Sequence, residues 1–285
     1  MLRSLFSGIS GLRANQTMLD VTGNNIANAN TVGFKANTTV FQDTLSQVMR
    51  GATGGDAATG GTNPVQVGLG VQVAATRGNF NQGSAQTTGN TTDLMLQGDG
   101  MFVLGSGDER VYTRAGAFSW DTNGNLVAPS GKKVQGYAPG DTAHTTLIDV
   151  NLKDLTGAVP PLPAGGGVEM TSYSIGSDGV VRGTFSDDVQ REIAVVAVAN
   201  FTNVAGLERV GETAFRASAN SGAADLGVAR EGSRGELVAG TLEMSNVDLS
   251  AEFTNLILAQ RGFQASSRVI TTSDQVLEEL VNIKR

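Results

Sequence analysis

The sequence contains no cysteine, a single histidine (His144) and a single tryptophan. Without thiols the chain cannot form disulfides, thiolate metal sites or iron-sulfur clusters, and it has no cysteine nucleophile. One histidine cannot supply a multi-histidine metal site. We therefore predict no enzymatic activity and no catalytic residue, cofactor or metal ion.

Charge is also scarce, since charged residues make up 16% of the 285 residues, against about 25% in ordinary soluble domains. The formal net charge of -7 argues against a nucleic-acid partner, which needs clustered Lys and Arg. The longest apolar run, 193–199, is far shorter than the ~20 residues of a membrane helix, so we predict no membrane insertion. Small residues from Ser7 to Gly11 interrupt the apolar N-terminal stretch, so we expect no cleaved signal peptide.

Glycine and proline are abundant only in the middle of the chain. Of the 38 glycines, 33 lie between residues 51 and 240, and all six prolines lie between Pro64 and Pro163. Because both residues disfavour helix interiors, the sequence predicts helical ends around a turn-rich centre.

Both ends carry an apolar stripe with alternating spacings of three and four, the pattern of coiled-coil helices. We predict one C-terminal helix over 249–284, roughly 54 Å long at ~1.5 Å per residue, capped by Asp248 or Ser250. The C-terminal stripe is wider than a two-stranded seam requires, so we expect the two helices to pair and then to pack against other subunits. The predicted subunit-packing residues are Leu5, Ile9, Leu12, Leu19, Ile26, Leu249, Phe253, Leu256, Gln260, Phe263, Ile270, Leu277 and Val281.

In the centre the apolar period changes to two, as in half-buried strands. Val65 to Val73 alternates strictly and predicts one strand. Later apolar runs are short, and Asn123-Gly124 and Asp178-Gly179 are hairpin turn signals. The predicted fold class is α+β, with coiled-coil-like terminal helices and a mainly antiparallel all-β central domain.

These patterns divide the chain into three regions. Residues 1–40 and 245–285 form the terminal helical assembly domain, 41–73 an extended Gly-rich linker segment, and 74–244 the all-β domain. A short Pro- and Gly-rich excursion occupies 138–170 within that domain. The tracts 51–63 and 157–167 have the composition of connectors.

Two long motifs stand at the chain ends. NNIANANTVGFK contributes Asn24, Asn25, Asn28, Asn30, Thr31, Gly33, Phe34 and Lys35. SNVDLSAEFTNLILAQRGFQASSRVITTSDQVL runs from Ser245 to Leu277. Together they resemble the paired terminal signatures of bacterial flagellar rod and hook proteins. We interpret Gly33 as the residue that ends the first helix, because glycine accepts the left-handed conformation of a C-cap.

Within that family, Gly61–Leu104, Tyr112–Tyr137 and Thr171–Phe185 are similar to the hook protein. Larger hook proteins carry an inserted outer domain where this chain has only about thirty residues (138–170), so it resembles a short form. The resemblance implies a structural subunit of the extracellular flagellar hook, a flexible helical tube that joins rod to filament and transmits torque. A rigid distal rod subunit is the alternative.

The resemblance also implies partners. They are many further copies of this chain, the rod, hook-cap and hook-filament junction proteins, and the flagellar export apparatus. Terminal helices would line the channel of the tube. The missing cysteines suit export in an unfolded state.

One local pattern is typical of calcium loops. Asp121, Asn123 and Asn125 have the alternate spacing of such a loop, but Lys132 stands where the twelfth-position glutamate is needed. We interpret them as a hairpin turn.

Overall fold

The computed structural model describes residues 2–55, 60–105, 109–141, 146–153, 158–161 and 170–283. His144, part of the 51–63 tract and most of the 157–167 stretch lie outside the described residues. The chain divides into two units. The terminal unit comprises Met1–Ala29, Ala36–Asn79 and Val247–Arg285, and the central unit comprises Asn30–Lys35 and Phe80–Asn246.

The terminal unit contains both helices and two antiparallel strand pairs. Helix α1 spans Leu2–Ala27 and α2 spans Leu249–Ile283. The strands are β1 (Asn37–Asp43), β2 (Ser46–Arg50), β3 (Val65–Gly68) and β4 (Val71–Gly78). β1 pairs with β4 and β2 with β3. Much of the 41–73 segment that we expected to be a linker therefore lies in β-ladders.

The start of α2 confirms one of the two predicted caps. Oδ1 of Asp248 accepts hydrogen bonds from the backbone N–H groups of Ser250 (2.9 Å) and Ala251 (3.2 Å). Such a side-chain acceptor satisfies donors that the first helical turn leaves unpaired. Ser250 lies inside the helix, so Asp248 is the cap.

The prediction of one strand from Val65 to Val73 was wrong, because the chain breaks at Gly70. Gly70 has φ 127°, and a Cβ there would lie 2.2 Å from Oγ of Ser10 on α1. The same hydroxyl accepts the backbone N–H of Val71 at 3.3 Å. Close approach to α1 thus divides the alternating run into β3 and β4.

The central unit is built from short strands joined by tight turns. They are β5 (Ala85–Thr87), β6 (Leu94–Gln97), β7 (Met101–Leu104), β8 (Val111–Thr113), β9 (Ser119–Trp120), β10 (Leu126–Val127), β11 (Gln135–Tyr137), β12 (Leu147–Asp149), β13 (Met170–Ile175), β14 (Val180–Phe185), β15 (Gln190–Val196), β16 (Val198–Asn200), β17 (Glu208–Gly211), β18 (Ala214–Arg216), β19 (Asp225–Gly227), β20 (Glu236–Ala239) and β21 (Thr241–Glu243). Both hairpin signals are confirmed, since Gly124 (φ 85°) follows β9 and Gly179 (φ 81°) follows β13.

Two larger sheets organise the central unit. One has the strand order β17-β18-β8-β7-β16-β19 and the other β12-β11-β15-β14-β13. The two-stranded pairs are β10-β9, β20-β6 and β21-β5. All these pairings are antiparallel among the described residues, which confirms the α+β class. The core includes Leu94, Phe102, Leu126, Val181 and Val196, each fully buried or nearly so.

Candidate assembly surface

The contact between α1 and α2 runs through small side chains. A Cβ added to Gly11 would lie 3.0 Å from Oγ of Ser266, and one added to Gly262 would lie 2.5 Å from Oδ1 of Asn15. Ala259 is fully buried on the same line. Gly11 faces Ser266, whereas Asn15, further along α1, faces Gly262, which comes earlier on α2, so the helices run antiparallel. These small residues allow the two backbones to approach closely.

The predicted subunit-packing residues flank this contact. Nine are half-buried: Leu5, Ile9, Leu12, Leu19, Ile26, Leu256, Phe263, Ile270 and Leu277. Four are exposed: Leu249, Phe253, Gln260 and Val281. Their role in contacts between subunits stays a prediction.

Exposed apolar side chains are concentrated in the terminal unit. Among the described residues, 18 of the 22 exposed large apolar side chains belong to it, although the central unit has more residues. Nine are on α2, where Phe253 is 52% and Leu258 63% exposed. Nine more are on α1, the strand pairs and the turns between strands, including Leu45 at 83%. Patches of this kind mark interaction surfaces.

Asn25 of the N-terminal motif forms a buried clasp within the terminal unit. Its Nδ2 donates to the carbonyl oxygen of Asn37 (2.7 Å) and its Oδ1 accepts the N–H of the same residue (3.0 Å). Nδ2 also donates to Oε1 of Glu252 on α2 (3.1 Å). Asn25 is 1% exposed. One amide therefore connects α1, α2 and the start of β1.

Gly33 is left-handed as predicted, with φ 68°, but its interpretation as a helix C-cap was wrong. Helix α1 already ends at Ala27. Gly33 instead lies against the central unit's backbone, where a Cβ would come 2.4 Å from the nitrogen of Ala115. Its N–H donates to the carbonyl oxygen of Glu243 (2.8 Å). Glycine is required here by close backbone approach as well as by φ.

Lys35 and Glu243 form a fully buried ion pair in the central unit. Nζ of Lys35 lies 2.6 Å from Oε1 of Glu243 and donates to the carbonyl oxygen of Asn81 (2.8 Å). Oε1 of Glu243 also accepts the N–H of Gly83 (2.9 Å), and its Oε2 lies 3.3 Å from Nη1 of Arg114. Two buried cations thus share one buried carboxylate.

The surroundings of this cluster perturb both cations. Burial lowers the pKa of Lys35 below its ordinary value, and the hydrogen bond to Glu243 partly offsets that effect. Burial likewise lowers the pKa of Arg114, whose guanidinium also donates to the carbonyl oxygens of Leu96 and Gly98. The cluster fastens the motif segment 30–35 to β21 near the other end of the chain.

Phe34 is held by a further cation. The Arg209 guanidinium lies 4.8 Å from the centroid of the Phe34 ring and donates to the carbonyl oxygen of Lys35. Phe34 is 5% exposed. Three consecutive motif residues from Gly33 to Lys35 are therefore structural anchors.

Two general properties of the described residues bear on function. They contain no group of three or more His, Asp or Glu side chains placed to hold a metal ion. Neither helix combines the length and apolar character needed to cross a bilayer.

Comparison with known proteins places these features in a family. The model "Flagella basal body rod protein" matches residues 5–35, "Flagellar hook protein FlgE/F/G D1 domain" matches 95–183, and "Flagellar basal body rod FlgEFG protein C-terminal" matches 238–283. The flagellar basal-body rod protein FlgG of Bacillus subtilis is 43% identical over 286 residues, covering 100% of both chains. The chain belongs to the flagellar rod and hook protein family.

Relatives named as hook proteins match as well. The flagellar hook protein FlgE of Borreliella burgdorferi is 30% identical over 441 residues, covering 100% of both chains. The hook protein FlgE of Helicobacter mustelae is 49% identical over 151 residues, which are 52% of this chain and 33% of that protein. The family consists of structural flagellar proteins, which confirms the resemblance read from the terminal motifs.

The family matches bracket the anchors described above. The N-terminal match covers most of α1 and ends at Lys35, and the C-terminal match includes Glu243 and all of α2. Sequence reasoning missed Glu243, Arg114 and Glu252. One signal was present, because Lys35 is the only charged residue between Asp20 and Asp43. If a single cation in an otherwise uncharged segment is buried, it needs a partner of opposite charge elsewhere in the chain.

Proposed function

We propose that this protein is a subunit of the flagellar hook that polymerises through its terminal unit. This proposal is based mainly on the concentration of exposed apolar side chains in that unit. Burying a half-exposed Leu, Ile or Phe side chain contributes about 1 kcal/mol, so the nine on α2 represent roughly 9 kcal/mol before the entropic cost of association. In a polymer, neighbouring copies of the same chain can cover this surface on every subunit.

The central unit supports flexibility between subunits. Among its described residues only four large apolar side chains are exposed: Ile148, Val159, Val189 and Val210. Contacts between such surfaces rest on polar groups, and exposed ion pairs contribute only about 0–1 kcal/mol each. Central units can then exchange contacts as a curved tube rotates. A dry interface of interlocked large side chains between neighbouring central units would contradict this mechanism.

The hook assignment is supported by the 49% identity to a hook protein over half of the chain. Partners would then include rod, hook-cap and hook-filament junction proteins, with extracellular localisation after passage through the flagellar export apparatus. A distal rod subunit is the second candidate. The equal-length match to a protein named as FlgG favours it.

Electron microscopy of polymer grown from the purified chain separates these candidates. A hook subunit should form tubes that curve and change curvature along their length. Uniformly straight, stiff tubes would support the rod. Absence of any ordered polymer at high concentration would contradict both.

A further inference from the structure

The central unit contains a cavity with an excess of positive charge. Its volume is about 580 Å³, and among the described residues its lining contains three bases, Arg110, Lys132 and Arg216, and one acid, Glu109. Val210, which is 48% exposed, supplies apolar surface. The chain as a whole has a net charge of -7, so this basic cavity differs from the rest of the molecule. Its excess of positive charge favours an acidic ligand.

The cations of this cavity differ in whether they form ion pairs within the chain. Arg216 on β18 pairs with Glu208 on β17 at 3.0 Å, and both side chains are exposed. Lys132 forms no ion pair with any described residue. Arg110 forms none with the described residues either, so Lys132 and Arg110 are the two cations available to a second molecule.

An acidic tip of matching chemistry projects from the β14–β15 hairpin. Asp187 is paired within its own chain. Its carboxylate accepts hydrogen bonds from both terminal nitrogens of Arg191 (2.9 and 2.5 Å) and from the N–H of Val189. Asp188 is exposed and pairs with no described cation. Its φ of 57° is the left-handed region that glycine or asparagine tolerates better. The tip thus presents one unengaged carboxylate beside Val189, which is 37% exposed.

We propose that the hairpin tip of one copy docks in the basic cavity of a second copy, with Asp188 facing Lys132. Charge and apolar surface are complementary, since the carboxylate meets the cations and Val189 meets Val210. Tip and cavity belong to one central unit, and neither Asp188 nor Lys132 forms an ion pair with the described residues of its own chain. Different surfaces meeting head to tail generate open helical polymers. This inference rests on the proposed self-assembly.

Charge exchange provides the test. We expect Asp188→Lys alone and Lys132→Glu alone each to raise the critical concentration for polymerisation about tenfold, because attraction becomes repulsion at every junction. A 1:1 mixture of the two variants should polymerise like the wild type, since an alternating polymer pairs Lys with Glu and Asp with Lys. Glu236→Lys is the control, because it reverses the charge of a carboxylate that is 45% exposed and lies 3.8 Å from an exposed arginine, and it should polymerise like the wild type.

Disulfide trapping gives an independent readout in a chain without natural cysteine. Polymers of the Asp188→Cys/Lys132→Cys variant should form intermolecular disulfides on oxidation. The control Asp188→Cys/Ala223→Cys should not, because Ala223 is exposed but does not line the cavity. Normal polymerisation of both charge variants, or no crosslink in the first pair, would overturn the docking alone. Failure of the wild type to polymerise would overturn the proposed function and the docking with it.

Discussion

Replacing Glu243 by glutamine tests the buried charge cluster that anchors the N-terminal motif. The side chain is fully buried and lies within 3.3 Å of both Lys35 and Arg114. Glutamine keeps the shape but removes the negative charge that the two buried cations share. Breaking a buried ion pair in this way costs about 3–5 kcal/mol. That is a large part of the roughly 5–15 kcal/mol that stabilises a typical domain.

Urea unfolding followed by fluorescence measures this loss. Trp120 is the only tryptophan, and it packs against the central core with its ring 5.5 Å from that of Tyr173. Its emission therefore reports the unfolding of the central unit. With an m-value of about 2 kcal/mol/M, Glu243→Gln should lower the midpoint by about 2 M urea.

A matched control is available on the surface of the same unit. Glu208 lies 3.0 Å from Arg216, but its side chain is 57% exposed. Glu208→Gln should cost less than about 1 kcal/mol, because water screens the pair and solvates the remaining cation. If Glu243→Gln lowers the midpoint no further than Glu208→Gln does, the cluster does not anchor the motif and the reasoning is refuted.

Three further predictions concern other parts of the molecule. Asn25→Ala should destabilise the terminal unit by about 2 kcal/mol and speed hydrogen exchange at the Asn37 amide, since it leaves buried partners unpaired; unchanged exchange would contradict the clasp. Hydrogen bonds from Arg191 lower the pKa of Asp187 to about 2, so the ionised carboxylate stabilises the fold above its ordinary pKa of 3.8, and this contribution is lost as pH falls towards 2. An NMR titration that gives the Asp187 carboxyl a pKa near 3.8 would refute this prediction. Residues 30–246 alone should be folded by Trp120 emission and monomeric in sedimentation, because both helices are removed, and polymer formation would count against assembly through them.

The sequence predicted long local patterns well. The bounds of α2 follow from an apolar period with a single interior glycine, Gly262, and no proline, and from the acceptor on Asp248. The two hairpin turns follow from glycines that must adopt positive φ. In each case the deciding interactions lie within a few residues of the chain.

Contacts between distant residues escaped prediction. Lys35 and Glu243 are 208 positions apart, and only the folded central unit brings them together. The pairing of the two helices was predicted, but the residues at their closest approach were not, because Gly11, Gly262 and Ser266 carry no hydrophobic signal. The run Ile193–Phe201 reads as one strand but divides between two sheets, since β15 ends at Val196 and β16 begins at Val198.

The central claim is that exposed apolar residues of the terminal unit drive polymerisation. Sedimentation of Phe253→Gln/Ile257→Gln tests it, because these side chains are 52% and 57% exposed and lie one turn apart on α2. Losing about 1 kcal/mol at each should raise the critical concentration roughly thirtyfold, whereas Ile148→Gln in the central unit should leave it unchanged. Equal sedimentation of the double variant and the wild type would contradict the claim.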